Sequence, residues 1–354
     1  MIKDKDISIV VQGPILYKSQ YNITDETTKI VCQRLRKIFK ESEIILSTWE
    51  GENVSGIPFD KVIFNKDPGA TWFNINDKKQ LNNCNRLIVS TFAGIKAASN
   101  KYVLKVRSDL FLISKKFLTY FDKFSLYEEE FKFVQSRIIA FSLNSLYGHK
   151  TSQFTMNRPF HISDWAYFGY KSDLLNLYDI PLTEEPDFSQ WFLKHCKNFM
   201  DFEPEKIWRM PPEQYITYSF LKKFVPIHLK HTADTSNNNM EMSSKLLTNN
   251  FLVLDQTQFS LISLKYLYFP FSSWQGFELY IAYSSWLAEY YRHNQIEPLK
   301  QRIKFKTIII FRGFFYKISH RLLRKIDGTN NRICQLIARL IKVKIATKGL
   351  KNDK

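Results

Sequence analysis

An arginine and an aspartate end the segment KYVLKVRSDLFL (101–112), whose apolar residues predict a buried strand. Burying a charge is unfavourable unless the charge is paired or held for a ligand. Asp109 offers the hard oxygens that Mg²⁺ or Mn²⁺ takes, and the planar guanidinium of Arg107 suits a phosphate. Alternatively, the two side chains bind only each other or a helix end. For an isolated Arg-Ser-Asp tripeptide, that alternative is favoured.

Polar or turn-forming residues also end three other segments that predict strands, at 7–15, 42–51 and 61–69. These residues are Gln12, Gly13 and Pro14, then Ser47, Thr48 and Trp49, then Asp67, Pro68 and Gly69. Because helical patterns at 25–40 and 82–100 alternate with the strands, the sequence predicts an α/β sheet with right-handed crossovers. Ligands bind beyond the carboxyl ends of the strands in such sheets, so we expect all four strand ends on one rim.

Two acidic residues in the second half could act as a general base. Asp164 lies in HISDWAYFGY (161–170), which predicts a strand, and Glu213 follows Pro211 and Pro212 at a predicted helix start. The helix dipole alone is a sufficient structural reason for an acidic residue in the first turn.

Composition restricts the class of protein. The chain has 354 residues, of which 44% are hydrophobic, enough to bury a substantial core. Its four cysteines show no CxxC spacing, which indicates a reducing compartment without a zinc site. The N-terminal apolar run is too short for a signal peptide, and no stretch of about 18 apolar residues occurs. We therefore expect a cytoplasmic protein.

Most of the net positive charge is contributed by the last 55 residues. Residues 300–354 contain 16 Lys and Arg against two Asp, so they carry +14 of the total +17. In NRICQLIARLIKVKIA (331–346) the apolar residues follow helical spacing, with basic residues on the opposite face. This pattern predicts a basic amphipathic tail on an anionic membrane surface, where each Lys or Arg contributes about 1 kcal/mol. A helical hairpin packed on the body is the alternative, and no nucleic-acid module is present to favour nucleic acid.

Several of these segments together resemble the WavE-type family of lipopolysaccharide-synthesis proteins, which is associated with bacterial glycosyltransferases. The similarity runs through residues 7–112 and resumes at FHISDWAYFG and PPEQY. The chain also resembles, more loosely, the GT-A glycosyltransferase fold. In that fold a helix with an Ala-Arg-Asn-type element precedes the strand that ends in the D-x-D metal motif. Here Asn85 and Arg86 open the helix, and Arg107 replaces the first Asp, which weakens the expected site for Mg²⁺ or Mn²⁺.

The resemblance implies a role for each part of the rim. Residues 12–14 and Ser47 to Trp49 would surround the base and ribose of a nucleotide-sugar, and Asp67 would contact the same part. Arg86 would contact the sugar or phosphate, and Asp109 would bind the diphosphate with the metal. Inverting GT-A enzymes commonly take the base from an acidic residue that opens a later helix, so Glu213 is the predicted base. Asp164 would then bind acceptor hydroxyls, and exchange of these two roles is the alternative.

The resulting prediction is a GT-A-like, Rossmann-type mixed sheet flanked by helices, with a basic helical C-terminal extension. We expect a catalytic domain at 1–235, an aromatic-rich and mainly helical lid or packing region at 236–299, and the tail at 300–354. The predicted function is transfer of a sugar from a nucleotide-sugar to a lipid-linked glycan of the lipopolysaccharide, lipooligosaccharide or capsule type, at the inner face of the bacterial cytoplasmic membrane. The alternative is a non-catalytic, membrane-associated scaffold with a degenerate nucleotide site.

Overall fold

The computed structural model describes residues 2–17, 25–75, 78–150, 155–195, 208–263 and 281–296, and the single positions 307, 311 and 340. Apart from those three positions, the predicted basic tail lies outside the described residues. The described strands are β1 Ile7–Gln12, β2 Glu43–Trp49, β3 Lys61–Asn65, β4 Thr71–Ile75, β5 Lys78–Asn82, β6 Tyr102–Arg107, β7 Leu110–Leu112, β8 Ile138–Phe141, β9 Gly148–Lys150, β10 Thr155–Asn157, β11 Ala166–Tyr170, β12 Phe251–Leu254 and β13 Leu261–Ser263. The described α-helices are α1 Thr27–Ile38, α2 Cys84–Ala97, α3 Lys171–Tyr178, α4 Trp191–His195, α5 Pro212–Leu221, α6 Asn239–Asn250, α7 Gln256–Phe259 and α8 Tyr283–His293.

Seven of these strands form one mixed sheet in the order β12-β8-β11-β6-β1-β2-β3. Strands β6, β1, β2 and β3 are mutually parallel, whereas β11 runs antiparallel to both β6 and β8. Strand β1 is buried along its whole length, as expected for a central strand whose two faces are covered. The predicted α/β class, with a mixed Rossmann-type sheet and flanking helices, is confirmed.

The order of the strands fixes where a ligand can enter. From β1 the chain proceeds outward to β2 and β3, and then returns to β6 on the other side of β1. The point of reversal therefore lies between the carboxyl ends of β1 and β6. In open α/β sheets a crevice forms at this point because the flanking connections diverge there. Gln12 and Arg107, the last residues of the two strands, are paired in register at the crevice.

Helix α2 covers the sheet closely at β1 and β2. Gly94 lies at the contact, and a Cβ atom at this position would be 2.5 Å from Val10 Cγ1 and 3.0 Å from Ser47 Cβ. Such distances are shorter than van der Waals contact, so only glycine allows this approach. The close packing brings the first turn of α2, with Arg86, to the rim of the sheet.

The second half of the chain completes the same sheet. Strand β12, within the region predicted as mainly helical, pairs in parallel with β8, and α8 packs on β12 and α6. The predicted division at residues 235 and 299 remains a prediction. Among the described residues, no helix combines the length and the apolar character needed to cross a bilayer.

Candidate functional site

A cleft of about 560 Å³ opens at the point where the strand order reverses. We call it the rim cleft. Of the residues predicted from the sequence, ten line it: Gln12, Gly13, Pro14, Trp49, Asp67, Arg86, Arg107, Asp109, Asp164 and Glu213. Ser108 and Trp208 also contribute to its wall. The structure thus brings together side chains from separate parts of the sequence between residues 12 and 213.

The floor of the rim cleft is formed by two turns that hold each other. Gly13 has φ of +122°, a backbone conformation that favours glycine, and its N–H donates to the carbonyl of Ser47 at 3.1 Å. The N–H of Ser108 donates to the carbonyl of Gln12 at 2.9 Å, and its hydroxyl donates to the carbonyl of Pro14 at 2.8 Å. Ser108, the middle residue of the Arg-Ser-Asp tripeptide, therefore fixes the turn after β1.

Arg107 and Asp109 form a two-pronged ion pair in this floor. Arg107 Nε donates to Asp109 Oδ1 at 3.0 Å, and a terminal nitrogen donates to Oδ2 at 2.7 Å. The guanidinium carbon lies 4.6 Å from the centre of the Trp165 ring, a cation–π contact. Asp109 is 2% exposed, whereas the Arg107 side chain is 20% exposed. Arg107 and Asp109 therefore do bind each other, as the alternative prediction had it. The pair nevertheless lies in a cleft, and Arg107 is its more accessible member.

This arrangement bears on the predicted Mg²⁺ or Mn²⁺. Both oxygens of Asp109 already accept hydrogen bonds from Arg107, and no group of three His, Cys, Asp or Glu suited to a metal occurs within the described parts of the chain. Ions of this type take one or two protein carboxylates together with phosphate and water oxygens. The protein donors alone do not fit a resident ion, because the single carboxylate of the floor is already paired with Arg107, whose positive charge opposes a second cation beside it.

A second ion pair, Arg86 with Asp67, lies at the mouth of the cleft. Arg86 Nε donates to Asp67 Oδ1 at 2.7 Å, and another of its nitrogens donates to Asn83 Oδ1 at 3.1 Å. The hydrogen bond from Arg86 lowers the pKa of Asp67 and raises that of Arg86. Both side chains are partly exposed, so the pair itself adds little stability and can open to a ligand.

Asp164 and Glu213 both line the rim cleft and interact electrostatically. Asp164 precedes β11, which is antiparallel to β6, so it lies at the carboxyl end of β6. Its Oδ1 atom is buried and, within the described residues, has no hydrogen-bond partner. Glu213 lies in the first turn of α5, where it was expected. Burial raises the pKa of Glu213 and the charge of Asp164 raises it further, whereas Arg107 and Arg158 act in the opposite direction. A carboxylate of raised pKa is a stronger proton acceptor.

Three predicted residues do not line the cleft. Ser47 is fully buried and donates to the carbonyl of Ser90 at 2.6 Å, and Thr48 is equally buried. Asn85 Nδ2 donates to the Thr183 carbonyl at 3.0 Å, and its Oδ1 accepts from the Thr183 N–H at 2.7 Å. Ser47 and Asn85 thus hold elements together, Ser47 through its bond to α2 and Asn85 through its bonds to the loop at Thr183. The buried hydroxyl of Thr48 has no hydrogen-bond partner among the described residues. Trp49, at the end of the same strand, does reach the cleft.

Lys105 is the main residue that the sequence analysis missed. It is fully buried on β6, two residues before Arg107, and its ammonium donates to the backbone carbonyl of Asp164. Burial lowers the pKa of Lys105 to about 8, although the charges of Asp164, Asp109 and Glu213 raise it. The available signal was a lysine inside an apolar strand. Lys105 is thus a buried basic group that interacts electrostatically with three carboxyl groups of the cleft.

Replacing Lys105 by Met should change how stability depends on pH. The ordinary pKa of a lysine is 10.5, so between about pH 8 and 10.5 the unfolded chain holds a proton that the folded protein has lost. Stability rises with pH wherever the unfolded state holds more protons. The unfolding free energy of the wild type should therefore rise by about 1.4 kcal/mol per pH unit relative to Lys105→Met. Urea unfolding across this range measures it, with the exposed Lys40→Met as control. Parallel curves for wild type and Lys105→Met would refute the assignment.

Comparison with known proteins identifies the family. A family model described as WavE lipopolysaccharide synthesis matches residues 7–326, which is most of the 354-residue chain. A search of curated proteins finds no match.

Solved structures give only distant similarities. The 4-diphosphocytidyl-2C-methyl-D-erythritol synthase of Anaerococcus prevotii is 14% identical, with a TM-score of 0.32 over 55% of this chain and 86% of its own. HddC of Yersinia pseudotuberculosis is 9% identical, with a TM-score of 0.27 over 48% of this chain and 79% of its own. Neither similarity is high enough to carry an argument. The family model, by contrast, matches most of the chain, and on that ground the chain belongs to the WavE lipopolysaccharide synthesis family.

Proposed function

We propose that this protein is a glycosyltransferase with a GT-A-like site, which transfers a sugar from a nucleotide-sugar to a glycan acceptor of the lipopolysaccharide, lipooligosaccharide or capsule type. The observation that carries the proposal is the composition of the rim cleft. It combines two arginines, suited to a diphosphate, with two carboxyl groups deeper in the cleft, suited to accepting a proton. Membership of a lipopolysaccharide-synthesis family supports the choice of acceptor.

The donor would lie with its diphosphate near Arg107 and Arg86 and its base near Trp49. Arg107 is held by Asp109 and Trp165, so it is already oriented when the leaving diphosphate develops charge. Arg86 would exchange Asp67 for the donor. The roles assigned to Arg107 and Arg86 do not require a divalent cation.

Glu213 would accept the proton from the attacking acceptor hydroxyl as the new glycosidic bond forms and the bond to the diphosphate breaks. Its raised pKa and its place in the cleft support this role. Asp164 would accept a hydrogen bond from another acceptor hydroxyl, since its Oδ1 lacks a partner within the described residues. An inverted product is expected from direct displacement with a single carboxylate base. The exchanged assignment, with Asp164 as base, makes the opposite prediction for the two variants considered in the Discussion.

Donor binding tests the proposal most directly. We expect one of a panel of UDP-, GDP- and CMP-sugars to raise the melting temperature, because a ligand that binds only the folded state stabilises it. The shift should persist in EDTA if Arg107 and Arg86 meet the phosphates. No shift with any donor, with or without Mn²⁺, would instead support the non-catalytic scaffold, for which the replacement of the first D-x-D aspartate by Arg107 is the specific observation.

The tail remains a proposal that rests on its sequence. Removal of residues 300–354 deletes +14 of charge and the predicted amphipathic helices, so the shortened protein should no longer bind vesicles that contain anionic lipid. Co-sedimentation with such vesicles measures this, and neutral vesicles serve as control. Retention of the shortened protein on anionic vesicles would contradict peripheral attachment to the membrane through this segment.

A further inference from the structure

A second cleft, of about 630 Å³, lies on another face of α5. We call it the basic cleft. One wall is formed by Tyr215 and Tyr218 of α5 and by Lys222, the residue that follows the helix; they are spaced three and four apart and so share one face. The opposite wall comes from the segment 181–195 with α4, and Arg209 closes one end. None of the roles proposed above uses this cleft.

Two cations of the basic cleft have no carboxylate partner among the described residues. Arg209 Nε donates to the backbone carbonyl of Lys230 at 3.0 Å, and its two terminal nitrogens make no hydrogen bond within those residues. Its guanidinium carbon lies 5.6 Å from the centre of the Trp191 ring, which holds the group in place. The ammonium of Lys222 lies 5.7 Å from the Tyr218 ring and likewise donates to no described group. Both side chains are available to an anion.

The balance of charge around the basic cleft is positive. Lys194 is paired with Asp187, and Lys223 donates to the side-chain oxygen of Asn176 at 2.9 Å. Glu184 and Asp187 are the acidic residues of the wall, against Lys194, Lys222, Lys223 and Arg209. With Lys194 neutralised by Asp187, two cations are left beyond the charge of Glu184. An anionic ligand would therefore be favoured over a neutral one.

The start of α5 lies between the basic cleft and the rim cleft. Trp208 and Glu213 line the rim cleft, whereas Arg209 and Tyr215, one and two residues further along the chain, line the basic cleft. A chain-like ligand that occupied the basic cleft could thus extend past the first turn of α5 to the candidate base. Single sugars would not need so long a binding surface.

We propose that the basic cleft binds an anionic oligosaccharide, with Arg209 and Lys222 on a phosphate or carboxylate group and the Tyr215 side of α5 along the sugar chain. Aromatic rings contribute apolar contact area for the carbon faces of sugars, and the arginine fork fits phosphate and carboxylate. In that position the oligosaccharide would be the acceptor, and this identification rests on the proposed function. Binding of the anionic saccharide itself does not depend on catalysis.

The test uses the full-length protein and a deacylated lipopolysaccharide core oligosaccharide that carries phosphate groups. We expect the double variant Arg209→Gln, Lys222→Met to raise its Kd at least about tenfold, as loss of two charge-assisted contacts implies. The double variant Lys40→Met, Lys116→Met removes the same charge from exposed positions outside the cleft lining and should leave the Kd unchanged. Lys222 is exposed, so Lys222→Met alone should fold normally and should still raise the Kd several-fold. It therefore tests the cleft even if the Arg209→Gln change impairs folding.

Three results would overturn the proposal: equal Kd values for the cleft variant and the control variant, unchanged binding of an oligosaccharide whose phosphates are removed by phosphatase and whose carboxylates are converted to amides, and binding of inorganic phosphate alone with the same affinity. The donor panel separates this proposal from the transferase. A protein that binds the oligosaccharide but no sugar nucleotide would refute the transferase and retain the basic cleft. A donor shift without oligosaccharide binding would refute the basic cleft alone.

Discussion

Replacing Glu213 by Gln should lower kcat by about 10²–10⁴-fold, the contribution of a general base. Glutamine has nearly the same volume and can keep the contacts of the first turn of α5, but it cannot accept the proton from the acceptor hydroxyl. Donor binding should be unaffected, because the arginines assigned to the diphosphate remain in place. Steady-state transfer, together with the donor-induced melting shift, measures both quantities. Wild-type turnover by Glu213→Gln would remove the residue from the mechanism.

Asp164→Asn provides the matched comparison. If Asp164 binds an acceptor hydroxyl, the variant should raise the KM for acceptor and retain much of the kcat. Loss of turnover in Asp164→Asn with modest effects in Glu213→Gln would exchange the two roles.

The pH profile offers an independent signature of the same pair. Glu213 must be ionised to accept a proton, so the acid limb of kcat/KM should follow its raised pKa and lie above the usual carboxyl range. The charge of Asp164 is one cause of that raised pKa. In Asp164→Asn this cause is absent, and the acid limb should therefore shift to lower pH. A limb that does not move would show that the group titrating in the profile is not coupled to Asp164.

The ends of the strands could be predicted from the sequence because the residues that terminate a strand lie next to it in the chain. The polar triplet after β1, the Asp67 turn and the Arg-Ser-Asp tripeptide all lie at the rim, since parallel strands must present their carboxyl ends at the same edge. The first turn of α5 was equally accessible, because the two prolines define a helix start. What these residues share is a position that depends only on the order of elements along the chain.

The direction in which a side chain points could not be predicted by the same reasoning. Ser47 is a polar residue near a strand end, yet it points into the contact with α2, where Gly94 lets the helix pack closely. Thr48, the next residue, is equally buried. Lys105 was overlooked for the complementary reason: a strand pattern treats a lysine as an edge or surface residue, whereas here it is buried with a carbonyl partner on the neighbouring segment. Both errors concern long-range packing, which a local pattern does not encode. The basic cleft likewise arises from residues far apart in the sequence.

Replacing Arg107 by Met should lower kcat/KM for donor by about 10²–10³-fold, the usual loss when one preorganised charge stabiliser is removed. Methionine can keep the contact with Trp165 but offers nothing to a diphosphate. It also leaves Asp109 buried without its partner, which should destabilise the fold by about 3–5 kcal/mol. The loss of activity must therefore be separated from the loss of stability.

The double variant Arg107→Met, Asp109→Leu makes that separation, because replacing a whole buried ion pair by apolar residues is often neutral for stability. We expect it to recover the melting temperature of the wild type and none of its transfer activity. Recovery of both would mean that the pair only holds the turn after β6.

The single variant Arg107→Met also discriminates between the two possible sources of positive charge at the diphosphate, a divalent ion and Arg107 itself. If a divalent ion carries the role, the oxygens of Asp109 that Arg107→Met releases should bind Mn²⁺, and added Mn²⁺ should restore transfer. If Arg107 itself neutralises the diphosphate, Mn²⁺ restores nothing, and EDTA leaves the wild type active.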